Sequence, residues 1–132
     1  MTLHLTALFA GVLIFIQIAL TTLVGVYRGK VGINFMHGDD DVLLRRMRAH
    51  GNFTETVPIV LIAMALAELA GAPSWLMLAG GTSLVLGRLI HAINFVGSGG
   101  GVGAGRAAGM AFTTISMAAF AIYGLMIFAN AV

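Results

Sequence analysis

The sequence predicts an all-α integral membrane protein, a bundle of four transmembrane helices with little outside the bilayer but its connecting loops. Three observations predict it. Hydrophobic residues make up 59% of the 132 residues and charged ones 9%, against about 25% charged in soluble domains, so too few charges exist to cover a water-facing surface. The apolar residues fall into four long runs, each near the ~20 residues that cross a hydrocarbon core of about 30 Å. The basic residues, finally, gather in two of the three connections. The length favours a single domain over 1–132.

The first span covers 3–27. It carries no formally charged side chain from Leu3 to Tyr27 and would reach about 37 Å as a helix. It lacks the basic n-region and short apolar core of a cleaved signal peptide, so it is expected to be retained. The second span covers 44–70, the third 74–96 and the fourth 105–130. Gly71-Ala72-Pro73-Ser74 is a tight turn in which glycine ends one helix and Pro73 with Ser74 starts the next. Uninterrupted apolar runs of this length satisfy their backbone groups in lipid as helices.

Five of the seven basic residues (Arg28, Lys30, Arg45, Arg46, Arg48) lie in or beside the first connection. Arg106 borders the third, on the same side of the membrane, and the second connection has no basic residue. By the positive-inside rule the first and third loops are expected in the cytoplasm and both termini opposite. The glycine-rich stretch from Gly97 to Gly105 is expected to be a flexible cytoplasmic loop. It lacks the lysine and serine or threonine that would make it a phosphate loop.

Composition excludes several function classes. The sequence pI of about 9.7 reflects a small excess of basic residues, with no long basic run or aromatic-interleaved patch for nucleic acid. Without cysteine there is no disulfide, thiolate metal site or cysteine nucleophile. Asp39-Asp40-Asp41 precedes a helix N-terminus, where acids are favoured anyway, so no metal is expected. His4 and His37 are expected at the surface. Gln17 and Glu68 look isolated, with Glu68 near the far-side turn. The eight methionines read as core filler.

Small residues indicate close helix packing. Ala79, Ser83, Gly87 and His91 recur every four positions on the third helix, and Gly105, Gly109 and Thr113 do so on the fourth. Such stripes let backbones approach in a membrane, although a chain this rich in alanine and glycine also produces them by chance.

Ionisable groups inside spans are costly and by default functional. On the second helix Arg45, Arg48, Asn52 and Glu55 form one polar stripe, descending roughly 15 Å below the cytoplasmic surface at Glu55. Three residues later Pro58 removes a backbone donor. On the third helix Arg88, His91 and Phe95 share a face. Arg88 and Glu55 lie at similar depth on antiparallel helices, which predicts an ion pair between them. The topology gathers Arg28, Arg48, Asn52, Glu55, Arg88, His91 and Arg106 at one end, a cationic cluster suited to a small anionic ligand with amide and carboxylate groups. Headgroup anchoring competes at Arg28, Arg45, Arg46 and Arg48 and is the expected role of Arg45 and Arg46, with Arg48 expected in the site; it cannot account for Asn52, Glu55 and Arg88. His50 lies beside the stripe, rotated from its centre, and suits a ligand or a surface role equally.

From Arg48 to Pro58 the sequence RAHGNFTETVP resembles the second helix of the MAPEG family, the membrane-associated proteins of eicosanoid and glutathione metabolism. Gly87-Arg88-Leu89-Ile90-His91 and Arg106-Ala107-Ala108-Gly109 resemble its third helix and the start of its fourth. The resemblance covers essentially the whole chain. It implies a bacterial-type member in the inner membrane, a homotrimer, and glutathione as co-substrate bound between neighbouring subunits near the cytoplasmic face. Arg28, Arg48, His50, Asn52, Glu55, Arg88, His91 and Phe95 match glutathione-site or supporting positions. Arg106 matches the arginine that stabilises the glutathione thiolate. Phe95 stands where eukaryotic members often carry tyrosine, and Met110 replaces a polar or aromatic residue of some members.

The expected function is a glutathione transferase or peroxidase acting on a lipophilic electrophile delivered through the membrane lipid. The rival is a non-catalytic trimeric scaffold or glutathione-binding protein of the same fold. A transporter is weaker, since no paired broken helices or inverted repeat are visible.

Overall fold

The computed structural model describes residues 2–97 and 103–130, leaving most of the glycine-rich third connection outside the described residues. Four helices follow in order: α1 (His4–Val31), α2 (Asp41–Leu69), α3 (Ser74–Gly97) and α4 (Ala104–Ala129). All four are long and apolar enough to cross a membrane, and no strand occurs among the described residues. The bundle is the predicted one.

The helix ends differ from the predicted spans for local reasons. α1 continues one turn past Tyr27, because Arg28 and Lys30 are compatible with helix even where they leave the apolar core. It stops at Gly32, which adopts the left-handed region (φ 70°) while its N–H bonds the Arg28 carbonyl. α2 begins three residues before the expected start of the span. Asp40 caps it, its carboxylate accepting from the Leu43 N–H at 2.7 Å, and the acidic triplet acts as the helix start that its position implied. The turn after α2 uses Gly71 (φ 83°), with the Ala72 N–H reaching back to the Ala67 carbonyl at 2.9 Å.

α2 and α3 each touch the other three helices, whereas α1 and α4 do not meet among the described residues. The core lies where the four converge. Leu13, Met64, Met77, Leu84 and Phe120 are at most 1% exposed. Outside, Phe15, Trp75, Leu125 and Phe128 stand open, the inverted surface that a lipid-facing bundle presents.

α3 and α4 approach most closely. A Cβ on Gly87 would stand 2.8 Å from the Thr113 nitrogen, and one on Gly109 would stand 2.7 Å from the His91 nitrogen. The predicted stripe is therefore used at Ser83, Gly87, His91, Gly105, Gly109 and Thr113. Ala79 is exposed and falls outside the seam; its neighbour Gly80 takes that place, accommodating the Phe120 ring, while Gly81 accommodates Phe9 of α1. Ser116 donates to the Gly80 carbonyl at 2.8 Å and Ser83 to the Phe112 carbonyl at 2.7 Å.

Candidate functional site

The close α3–α4 seam fixes Arg88. Gly87 lets α4 come near enough for Arg88 Nε to donate to Thr113 Oγ1 at 3.0 Å, and Thr113 in turn donates to the Gly109 carbonyl at 2.9 Å. One terminal nitrogen of Arg88 reaches α2 and donates to the Asn52 carbonyl at 3.2 Å; the other contacts Met110 Sδ at 3.9 Å. The Thr56 hydroxyl donates to that same carbonyl at 2.8 Å. Arg88 is only 2% exposed, so it ties three helices together through neutral acceptors.

The predicted Glu55–Arg88 ion pair does not form. Depth was matched, but azimuth was not: the guanidinium turns toward α4, while Glu55 lies on the exposed outer face of α2. Among the described residues neither Glu55 nor Arg48 makes an ion pair or hydrogen bond within the subunit. Asn52, between them in the stripe, is half-buried and serves Arg88 with its backbone.

One turn beyond Arg88, the His91 ring, 3% exposed, stacks on Phe95 with centroids 5.3 Å apart. The Arg106 guanidinium, from the first turn of α4, lies 4.7 Å from the Phe95 centroid, within cation–π range. Arg88, His91, Phe95 and Arg106 thus line one end of the α3–α4 pair. Below them a groove of about 650 Å³ opens between α2 and α4, with Arg88 and Thr113 in its wall and Ile59, Val60, Met117 and Phe120 along its apolar length.

Two predicted site residues sit elsewhere, at the α1–α2 seam. His50 Nε2 is 2.8 Å from Gln17 Nε2 and 3.2 Å from Thr21 Oγ1, so His50 is an interhelical contact, and Gln17 is not isolated. Arg28 donates to the Ile33 carbonyl at 3.2 Å and to Met47 Sδ at 3.1 Å. Arg46 donates to the Leu23 carbonyl at 3.0 Å and lies 4.3 Å from the Tyr27 ring centroid. At the opposite end Glu68 is likewise not isolated: its two carboxylate oxygens accept from the N–H groups of Leu5 (2.9 Å) and Thr6 (2.8 Å). Sequence reasoning missed Thr113, Thr56 and Gln17 as partners. A hydroxyl within a small-residue stripe, and an amide facing a histidine across two adjacent spans, were the available signals.

The sequence model of the MAPEG family matches residues 6–126. The chain belongs to the MAPEG family. Two curated relatives of this MAPEG chain are inner membrane proteins YecN, from Escherichia coli strain K12 and from Escherichia coli O6:H1. Each is 33% identical over 72 residues, covering 53% of this chain and 55% of the relative. The match therefore spans about half the length of those relatives. No solved structure matches the chain. With four spanning helices and this family, the molecule is an integral membrane protein.

Proposed function

We propose that this MAPEG chain is a glutathione-dependent enzyme of the inner membrane, of transferase or peroxidase type, acting on a lipophilic electrophile. The observation that carries the reading is Arg88: a guanidinium 2% exposed inside a membrane bundle, bonded only to neutral acceptors. Buried charges are ordinarily paired, so its counter-charge comes from an anionic ligand or from a neighbouring subunit. Arg48 and Glu55 support the same conclusion from the other side. They face outward from α2, and Glu55 belongs at a depth where a carboxylate cannot face lipid cheaply. A homotrimer, in which one subunit's α2 stripe meets the next subunit's α3–α4 end, would cover both and frame a site for a peptide with two carboxylates.

In this reading Arg48, Asn52 and Glu55 bind the glutathione backbone, and Arg28 and His50 support α1 and α2 behind them. Arg106 holds the thiol as thiolate. A free thiol of pKa about 8.5 is a few per cent ionised at neutral pH. A fixed cation at a helix N-terminus, where the dipole acts with the same sign, favours the anion without itself titrating. The groove between α2 and α4 would bring the apolar substrate in from the bilayer, with its electrophilic end toward the thiolate. In this reading the site end faces the cytoplasm and both termini the other side, as the positive-inside rule supports through the basic first connection and Arg106.

The test is an ultraviolet titration of thiolate absorbance for glutathione bound to the wild type and to Arg106→Leu. The wild type is expected to show the lower thiol pKa, each unit corresponding to about 1.4 kcal/mol of thiolate stabilisation. Coincident titrations with affinity retained would remove Arg106 from the chemistry. Glutathione at a hundred times Kd should also stabilise the fold by about 2.7 kcal/mol, seen as a raised unfolding temperature that mercaptoethanol does not produce.

A further inference from the structure

The connection between α1 and α2 displays an apolar pair that nothing in the subunit covers. Phe35 is 83% exposed and Met36 56% exposed. Met36 is also the one non-glycine residue with positive φ among those described, at 55°; that region is disfavoured for a long side chain. The segment is nonetheless well tied. Arg28 donates to the Ile33 carbonyl at 3.2 Å, the Asp40 N–H bonds the His37 carbonyl at 3.1 Å, and the Asp40 carboxylate accepts from Leu43 and from the Tyr27 hydroxyl. Residues 33–40 are thus tied at both ends, with a strained backbone at Met36, where the apolar pair is exposed.

The chemistry around the pair identifies its occupant. α1 has 28 residues, about 42 Å of helix against a hydrocarbon core of about 30 Å. The connection therefore emerges at headgroup level. It is flanked in sequence by Arg28, Lys30, Arg45, Arg46 and Arg48 against Asp39, Asp40 and Asp41, an excess of two positive charges. An aromatic and a methionine within a cationic surround at that level match the boundary between anionic headgroups and acyl chains. We propose that Phe35 and Met36 form an interfacial wedge, entering the leaflet on this side of the membrane while Lys30 and Arg45 meet lipid phosphates. The proposal does not depend on the glutathione reading.

The experiment places a fluorophore on the wedge. Phe35→Trp in a Trp75→Phe background carries a single indole, and the full chain is reconstituted in nanodiscs of phosphatidylcholine with or without phosphatidylglycerol. Blue-shifted emission is expected, quenched more by lipids brominated near the headgroup than by lipids brominated deep in the chain, and more strongly with phosphatidylglycerol present. Red-shifted emission quenched by iodide would overturn the wedge. So would blue-shifted emission that brominated lipid leaves untouched, since a second copy or another protein would then cover the pair. If the double variant fails to fold, Phe35→Cys serves instead, because the chain has no other cysteine. A membrane-permeant maleimide should label it in nanodiscs while a charged one is excluded; equal labelling by both would refute the insertion.

Discussion

Both seams of this bundle carry polar side-chain bonds, but they differ in how near the backbones come. Between α3 and α4, glycine, serine and threonine bring backbones together, so the fit is one of shape: a Cβ at Gly87 or Gly109 would collide with main-chain atoms. Between α1 and α2, long polar side chains span the gap: Glu68 to Leu5 and Thr6, His50 to Gln17 and Thr21, Arg46 to the Leu23 carbonyl, Tyr27 to Asp40. A shape seam leaves nothing to give way, and it is the seam that holds Arg88. A polar seam depends on a few separable bonds, and it holds α1, which does not meet α4 among the described residues.

That contrast predicts a graded set of losses. The largest should follow Gly109→Ala or Gly87→Ala, about 3 kcal/mol, the upper end of overpacking costs, because the obstructing atoms are backbone. Gly25→Ala, where a Cβ meets nothing, should lie within about 0.5 kcal/mol of wild type. Reversible unfolding in mixed micelles measures both, and equal effects at the two sites would show that the α3–α4 backbones do not meet at Gly87 and Gly109.

Next comes Glu68. Removing its carboxylate strands two backbone donors at the start of α1, so Glu68→Ala should cost about 2 kcal/mol. Glu68→Gln, keeping one neutral acceptor, should cost about half. Amide exchange at Leu5 and Thr6 should accelerate while exchange along α3 stays unchanged. Acceleration in both helices would mean that α1 is not separable.

The smallest loss belongs to Gln17→Leu, about 1 kcal/mol for one interhelical hydrogen bond in a membrane. Its specific readout is the His50 ring, whose nitrogen chemical shifts should move because Nε2 loses its amide neighbour. An unaltered His50 spectrum would show that the contact orders nothing.

The periodic features were legible in the sequence. Length and hydropathy marked every span, Gly71 and Pro73 marked the turn, and Asp39-Asp40-Asp41 marked a helix start. The four-residue spacing of Gly87 and Gly109 marked the seam, although Gly80 and not Ala79 continues it. Of the candidate site, the sequence put Arg88, His91 and Phe95 on one face of the third helix, and the structure sets Arg106 beside Phe95. The sequence reading erred in the partner of Arg88 and in treating Gln17 and Glu68 as isolated. Each error concerns how one helix is rotated against another.

The sequence by itself determined which residues share a face and at what depth, because rise and twist per residue are fixed properties of the α-helix. Only the tertiary structure decided which faces meet. That choice follows from the total fit of many side chains: Phe120 against Gly80, Phe9 against Gly81, Thr113 against Gly87. With α4 drawn in by Phe120 at Gly80 and Thr113 at Gly87, Arg88 finds the Thr113 hydroxyl and the Asn52 carbonyl within reach, and Glu55, at the same depth, is left on the outer face of α2.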